Sequence, residues 1–360
     1  MTKIYNFGAG PSMLPGTVLQ RAQEELLDWH GAGISVLEMG HRSQVYTAIA
    51  EKAEADFREL LDVPADYRIL FLQGGATGQF SAVPLNLMGD KAKTAYLLTG
   101  VWSEKAAAEA LRYGEVHVVA TGRAESYTKI PQPEQWLLDS NAAYVHYTAN
   151  ETIGGVEFQQ IPDVGALTLV SDMSSNILSR PVDVSRFGLI YAGAQKNIGP
   201  AGITVVIVRE DLLGRANSIT PSVFDYTKQA NNASMLNTPP TYNWYMLGLV
   251  LEWLKEQGGI AALEQKNIRK SAKLYAAIDR SSLYSNPIGL ACRSRMNVPF
   301  RIADTELEER FLKDSVREGL INLEGHRSVG DFRASIYNAM PEEGVDVLIE
   351  FMREFERRYG

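Results

Sequence analysis

Short, almost uninterrupted apolar runs recur through the first two-thirds of the chain, at residues 67–72, 93–98, 116–119, 142–146, 167–171, 189–192 and 203–208. Between several of them the apolar positions take helical spacing instead, as at 79–87 and 103–113. A strand covered on both faces has no reason to alternate apolar with polar residues. Seven such runs interleaved with helices therefore predict a mostly parallel, seven-stranded sheet with helices on either side. Upstream, Val18, Ala22, Leu26 and Trp29 share one face of a helix predicted from Gly16 to about Trp29 and ended by the glycines at 31 and 33. A second helix is predicted over 43–61, with Ser43 as its N-cap and the Asp62-Val63-Pro64 turn as its stop. Residues 1–15, broken by Gly8, Gly10, Pro11 and Pro15, read as extended chain or loop. After Pro239-Pro240 the character changes to a long helical region over 241–278, then strand, helix, strand, helix over 290–360. The pattern predicts an α/β protein with a large domain, 16–258, and a small α/β domain made of 259–360 joined by 1–15.

Composition narrows the classes. With 45% hydrophobic and 22% charged residues the chain lies in the ordinary globular range. A net charge of −8 disfavours nucleic acid or an anionic membrane as the main partner. No apolar run reaches the length of about eighteen residues that a spanning helix requires, and the first segment lacks the apolar core of a signal peptide. A cytoplasmic enzyme is expected. Cys292 is the single cysteine, so an intrachain disulfide and a multi-cysteine metal site are both excluded, and no metal is expected.

On a parallel sheet, ligands gather at the carboxyl ends of the strands, and the residues there carry the chemistry. After the 67–72 run comes Gly74-Gly75-Ala76-Thr77-Gly78, opening a helix. Free N–H groups at such a helix start, with the Thr77 hydroxyl beside them, suit a phosphate. The spacing is not that of a P-loop, and a tight turn alone accounts for it equally well. After 93–98 comes Trp102, placed either to pack in the core or to face a planar ring. Asp172 ends the 167–171 run, as a helix cap or as a carboxylate that keeps a pyridine nitrogen protonated. Lys196 follows the 189–192 run among small residues. A desolvated amine there would have the lowered pKa that imine formation needs, although most lysines are simply solvated. Asp172 and Lys196 are separated by one strand–crossover–strand unit, and their co-occurrence favours the chemical reading of both.

The stretches Gly40-His41-Arg42-Ser43, Gln73-Gly74-Gly75-Ala76-Thr77, His146 through Gly155, Ala192-Gly193-Ala194-Gln195-Lys196-Asn197 and Gly325-His326-Arg327 carry a family resemblance that spans essentially the whole chain. The sequence resembles the class V group of the aspartate-aminotransferase-like, fold type I enzymes, which use pyridoxal 5'-phosphate (PLP). The resemblance implies that Lys196 holds PLP as a Schiff base, Trp102 stacks on its ring, Asp172 pairs with the pyridine nitrogen and Thr152 contacts the ring hydroxyl. Ala76, Thr77 and Gln195 bind the phosphate, with Asn237 and Thr238 reaching across from a second subunit. A homodimer with composite active sites follows from that crossing. Gly8 stands where the family often carries serine.

The resemblance is strongest to members that move an amino group from L-glutamate to 3-phosphohydroxypyruvate, giving O-phospho-L-serine and 2-oxoglutarate in serine biosynthesis. It extends to the phosphohydroxythreonine step of pyridoxine biosynthesis. It assigns Arg333 to the α-carboxylate, and His41, Arg42, His326 and Arg327 to the distal anion, some of them from the neighbouring subunit. Two His-Arg pairs in a chain of five histidines fit an anionic end group; two solvated loop pairs are the plainer reading. The alternatives are another class V aminotransferase such as the alanine–glyoxylate enzyme, a cysteine desulfurase using Cys292 (which reads as packing in a strand), and a nucleotide-binding α/β protein.

Overall fold

The computed structural model of the chain describes residues 3–326 and 332–360. In chain order its elements are β1 (Tyr5–Asn6), α1 (Gly16–Glu24), α2 (Gln44–Leu61), β2 (Tyr67–Leu72), α3 (Gly75–Leu87), β3 (Lys93–Leu98), α4 (Val101–Ala110) and β4 (Glu115–Thr121). There follow β5 (Val145–Thr148), β6 (Asn150–Glu151), β7 (Val156–Glu157), β8 (Leu169–Asp172), β9 (Leu189–Gly193), β10 (Thr204–Arg209), α5 (Tyr226–Asn231), α6 (Thr241–Glu256) and α7 (Gly259–Arg280). The last part contains β11 (Tyr284–Ser285), β12 (Asn297–Ile302), α8 (Glu308–Arg317), β13 (Leu320–Ile321), β14 (Phe332–Ser335) and α9 (Glu342–Tyr359).

The seven apolar runs are the seven strands of one sheet, in the order β2-β10-β9-β8-β5-β3-β4. Along each strand alternate residues enter different cores. Ile69, Phe71, Val205 and Ile207 join the cluster beneath α2 and α6, whereas Leu70, Leu72, Val206 and Val208 join the one beneath α3 and α4. Coverage of both faces is the reason the runs look continuously apolar. β9, β8, β5, β3 and β4 pair in parallel, and β10 runs antiparallel to both β2 and β9. The segment between β9 and β10 contains no helix; without a crossover the chain can only turn back beside the strand it has just left.

Element ends moved where side-chain pattern and backbone geometry disagree. The first helix stops at Glu24 rather than near Trp29, and His30 and Gly31 then take positive φ values of 52° and 77°. Ser43 caps α2 as expected, its hydroxyl accepting from the Tyr46 N–H at 3.2 Å, and Asp62 closes the helix in the left-handed region. The helical region over 241–278 is two helices, broken at Gly258 with φ 94°. Residues 290–292 form a 3-10 turn, not a strand, and hold Cys292 buried with its thiol donating to the Thr128 and Gly289 carbonyls.

A separate buried cluster unites Tyr5 and Phe7 with residues from Leu274 to Phe355. It forms because β1 pairs in parallel with β13 and carries the start of the chain into the last hundred residues. α7 contributes to both large cores, Ile260 and Leu263 to one and Leu274 and Ile278 to the other. Among the described residues no helix is long and apolar enough to cross a membrane.

Candidate active site

At the carboxyl ends of the parallel strands lies a cavity of about 330 Å³. Ala76, Thr77, Trp102, Thr152, Asp172, Gln195, Lys196, His326 and Arg333 all line it, with Ala9, Gly10 and the Gly74-Gly75 turn. Nine residues singled out along 258 positions of sequence are thereby brought to one place.

Lys196 lies in the turn after β9. Its Nζ donates to Thr152 Oγ1 at 2.5 Å and sits 5.3 Å from the centre of the Trp102 ring. Desolvation lowers its pKa to about 8, against the attraction of Asp172 and with help from the Arg333 charge. The turn is fixed from the N-terminal segment: the Ser12 N–H donates to the Gln195 carbonyl at 3.0 Å, and the Ser12 hydroxyl donates to the Lys196 carbonyl. Gly10, at φ 147°, brings the backbone against the lysine stem, where an added Cβ would stand 3.2 Å from its Cγ.

Asp172, at the end of β8, is only 4% exposed. Burial raises its pKa; the Lys196 charge opposes that most strongly, followed by hydrogen bonds from Ser174, whose N–H donates to Oδ1 at 2.8 Å. The carboxylate thus caps its own turn and faces the cavity at once. Arg333, on β14, donates from Nη1 to the Thr152 carbonyl at 3.1 Å, which links the cavity floor to the three-stranded sheet of β11, β12 and β14.

Gly74 and Gly75 take φ values of 98° and 63°, so the chain leaves β2 in a turn that side chains disfavour and enters α3 with Gly75, Ala76 and Thr77, the first residues of the helix, lining the cavity. The start of α4 is held differently. Glu151, fully buried, accepts from the Trp102 and Ser103 N–H groups at 3.0 and 2.9 Å, and burial raises its pKa. Gly100 makes room for it: an added Cβ would lie 2.5 Å from the Glu151 carboxyl carbon. Glu151 is therefore what orients Trp102. In the sequence Glu151 is marked only as a carboxylate in a strand-end run that leads to Gly154 and Gly155.

Four of the expected residues that the structure describes are not in the cavity. His41 and Arg42 line a second cleft of about 250 Å³ with Glu51, Glu54 and Trp244, and it shares no lining residue with the first. Asn237 donates to Gln73 Oε1 at 2.8 Å, just before the glycine turn, and Thr238 is exposed. Arg327 lies outside the described residues. Cys292 lines a different cavity and its thiol is held protonated by burial, so it offers no nucleophile to Lys196 and Asp172.

A seven-stranded α/β sheet with a strand-end lysine, a buried aspartate and a glycine-opened helix is the arrangement of a lysine-dependent aminotransferase, and the class-V aminotransferase model matches residues 4–348. The chain belongs to the class-V aminotransferase family. Its relatives narrow this further. It is 59% identical to the phosphoserine aminotransferase of Pseudomonas aeruginosa over 358 residues, 99% of both chains. The solved phosphoserine aminotransferase of Bacillus circulans subsp. alkalophilus superposes with a TM-score of 0.98 at 46% identity, covering 100% of both chains. The PLP-bound phosphoserine aminotransferase of Trichomonas vaginalis gives 0.93 at 42% identity, covering 98% of this chain and 100% of that one. Within class V, this chain is a member of the phosphoserine aminotransferases.

Proposed function

We propose that the chain transfers the amino group of L-glutamate to 3-phosphohydroxypyruvate, forming O-phospho-L-serine and 2-oxoglutarate, with PLP bound at Lys196. The observation that carries the reading is the juxtaposition in one cavity of a lysine amine with a pKa near 8, a buried carboxylate and an indole plate. That donor set fits PLP: the start of α3 with Thr77 and Gln195 suits its phosphate, Trp102 its ring face, Asp172 its ring nitrogen and Thr152 its hydroxyl. PLP supplies an electron sink for the Cα–H electrons of the amino acid. Lys196 Nζ holds and moves the proton, and its lowered pKa leaves a useful fraction of neutral amine near neutrality. Asp172 would pair with the ring nitrogen and hold a proton there. Arg333 binds the α-carboxylate through its planar fork.

His41, Arg42, His326 and Arg327 suit the distal phosphate or the γ-carboxylate of glutamate. In this reading His41 and Arg42, with Asn237 and Thr238, complete the site of a neighbouring subunit in a homodimer, since within one chain the first two open into another cleft. The reaction belongs to serine biosynthesis, and the phosphohydroxythreonine step of pyridoxine biosynthesis uses the same anion subsite. A cytoplasmic location fits both. We read the chain as a large domain over 16–258 and a small one from 1–15 and 259–360; the two separate cores support the division, with Ile260 and Leu263 at the start of α7 packing in the large one.

The test is kcat/KM for phosphohydroxypyruvate and for hydroxypyruvate. Arg42→Ala and Arg327→Ala are each expected to lower it for the phosphorylated acid by about ten- to a hundredfold, the value of a charge-assisted hydrogen bond, with a smaller loss for hydroxypyruvate. Arg333→Ala lowers both alike. Equal losses on both substrates at positions 42 and 327 would remove the phosphate assignment.

A further inference from the structure

The turn after Asp172 ends in three successive carbonyls, of Ile177, Leu178 and Ser179, and each accepts from the side-chain amide of an asparagine. Asn197 Nδ2 donates to the first at 2.6 Å, Asn338 Nδ2 to the second at 2.8 Å and Asn267 Nδ2 to the third at 3.1 Å. The asparagines also bind one another. The Asn338 main-chain N–H donates to Asn197 Oδ1 at 2.9 Å, and Asn267 Nδ2 donates to Asn338 Oδ1 at 2.8 Å. None is more than 6% exposed. Leu178 holds a φ of 56°, so the turn departs from helical geometry there and its carbonyls need partners from elsewhere.

Each asparagine comes from a segment that matters. Asn197 directly follows Lys196. Asn338 stands shortly beyond β14, the strand of Arg333. Asn267 is on α7, one turn before Lys270, whose buried Nζ donates to the Ile336, Tyr337 and Met340 carbonyls at 3.0, 2.7 and 3.1 Å. α7 thus pins the β14 turn twice. Asn197 and Asn338 use both the donor and the acceptor of an uncharged amide, and Asn267 uses its Nδ2 donor twice; an aspartate would set a carboxylate against a carbonyl oxygen.

We propose that Asn197, Asn338 and Asn267 form a positioning triad for amino transfer, locking the Lys196 turn, the turn after Asp172 and the end of β14 into one register. The proposal rests on the role of Lys196 given above. The triad touches neither substrate nor cofactor. It keeps the amine, the carboxylate and Arg333 at fixed mutual distances, which the single bond from Lys196 Nζ to Thr152 Oγ1 does not do alone.

The test compares Asn197→Ala with Asn86→Ala, a buried asparagine at the end of α3 that bonds the Ala82 and Phe224 carbonyls away from the cavity. Two quantities are read beside the melting midpoint: kcat of the cofactor-loaded enzyme, and the pH midpoint for acylation of Lys196 in the cofactor-free full chain, followed by peptide mass spectrometry. Asn197→Ala is expected to lower kcat by about ten- to a hundredfold, the scale of a sub-ångström to 1 Å misplacement, and to move the Lys196 midpoint upward as the amine gains water. Asn86→Ala lowers the melting midpoint and leaves the other two at wild-type values. If Asn197→Ala does not fold, Asn338→Ala, which keeps the main-chain bond to Asn197, takes its place with the same expected directions. An unchanged Lys196 midpoint and kcat, with only the melting midpoint lowered, overturns the triad. The labelling reads the amine and not the reaction; a Lys196→Ala chain that still transaminates would overturn the role given to Lys196 above and leave the labelling result standing.

Discussion

At Lys196 two forces oppose each other, the cost of burying an ammonium and the pull of Asp172, and burial prevails to leave the pKa at about 8. In the unfolded chain the amine titrates at its ordinary 10.5. Between those values the unfolded chain binds more protons than the fold, so this residue makes the cofactor-free protein gain stability as pH rises through the window. In urea unfolding, the stability of wild type relative to Lys196→Met should therefore rise from about pH 8 to 10.5, by about 3 kcal/mol. Asp172 gives a second expectation. Asp172→Asn keeps the shape and an oxygen for the Ser174 N–H but loses the charge that holds the ring-nitrogen proton. PLP should still bind, seen as visible absorbance, while kcat falls by about a hundred- to a thousandfold. Turnover near wild type would reduce Asp172 to a cap.

Helix α4 has a helix start held by a buried carboxylate, and the plate that faces the lysine is its second residue. Glu151→Ala leaves the Trp102 and Ser103 N–H groups without their acceptor in a dry setting. The expected loss is about 1–3 kcal/mol in urea unfolding, together with weaker PLP binding measured by cofactor titration, because Trp102 is free to shift. Weaker binding without lost stability would mean the carboxylate acts on the cofactor directly. α3 solves the same problem with geometry instead of charge: Gly74 and Gly75 bend the chain so that its N–H groups stay open. One helix start is satisfied from within, and the other lines the cavity, where the proposed function puts the phosphate.

Across the whole molecule, the chemistry depends on segments far apart in the chain. The N-terminal Ser12 bonds the lysine turn, and Arg333 from the last part of the chain bonds Thr152 in the middle. The composite-site reading makes a prediction at this scale. Chains carrying Lys196→Ala and chains carrying Arg42→Ala are each impaired alone. Mixed by co-expression, the hybrid dimer contains one site with an intact lysine from one chain and an intact Arg42 from the other. Activity on phosphohydroxypyruvate should rise above that of either parent, measured on hybrids separated by differential tags. Hybrids no more active than the parents would place Arg42 outside the partner's site.

The apolar runs determined the sheet, because a strand covered on both faces cannot avoid being apolar throughout, and β2 and β3 fall on the residues the pattern predicts. The strand-end residues Lys196, Asp172, Trp102 and Thr77 were legible for a related reason: a charged, aromatic or glycine-rich break after an apolar run marks where the strand meets the ligand edge. The parallel pairing of β9, β8, β5, β3 and β4 was legible in the alternation of strands and helices, but its exception was not. β10 turned antiparallel for want of a crossover helix, and β1 was drawn to β13 by partners more than 300 positions away. Nor did the chain by itself reveal Glu151 as the acceptor for α4, or three asparagines from separate segments meeting on one turn. Such bonds depend on where the folded backbone brings a donor and an acceptor within about 3 Å of each other, and that is decided by the packing of segments far apart in the chain.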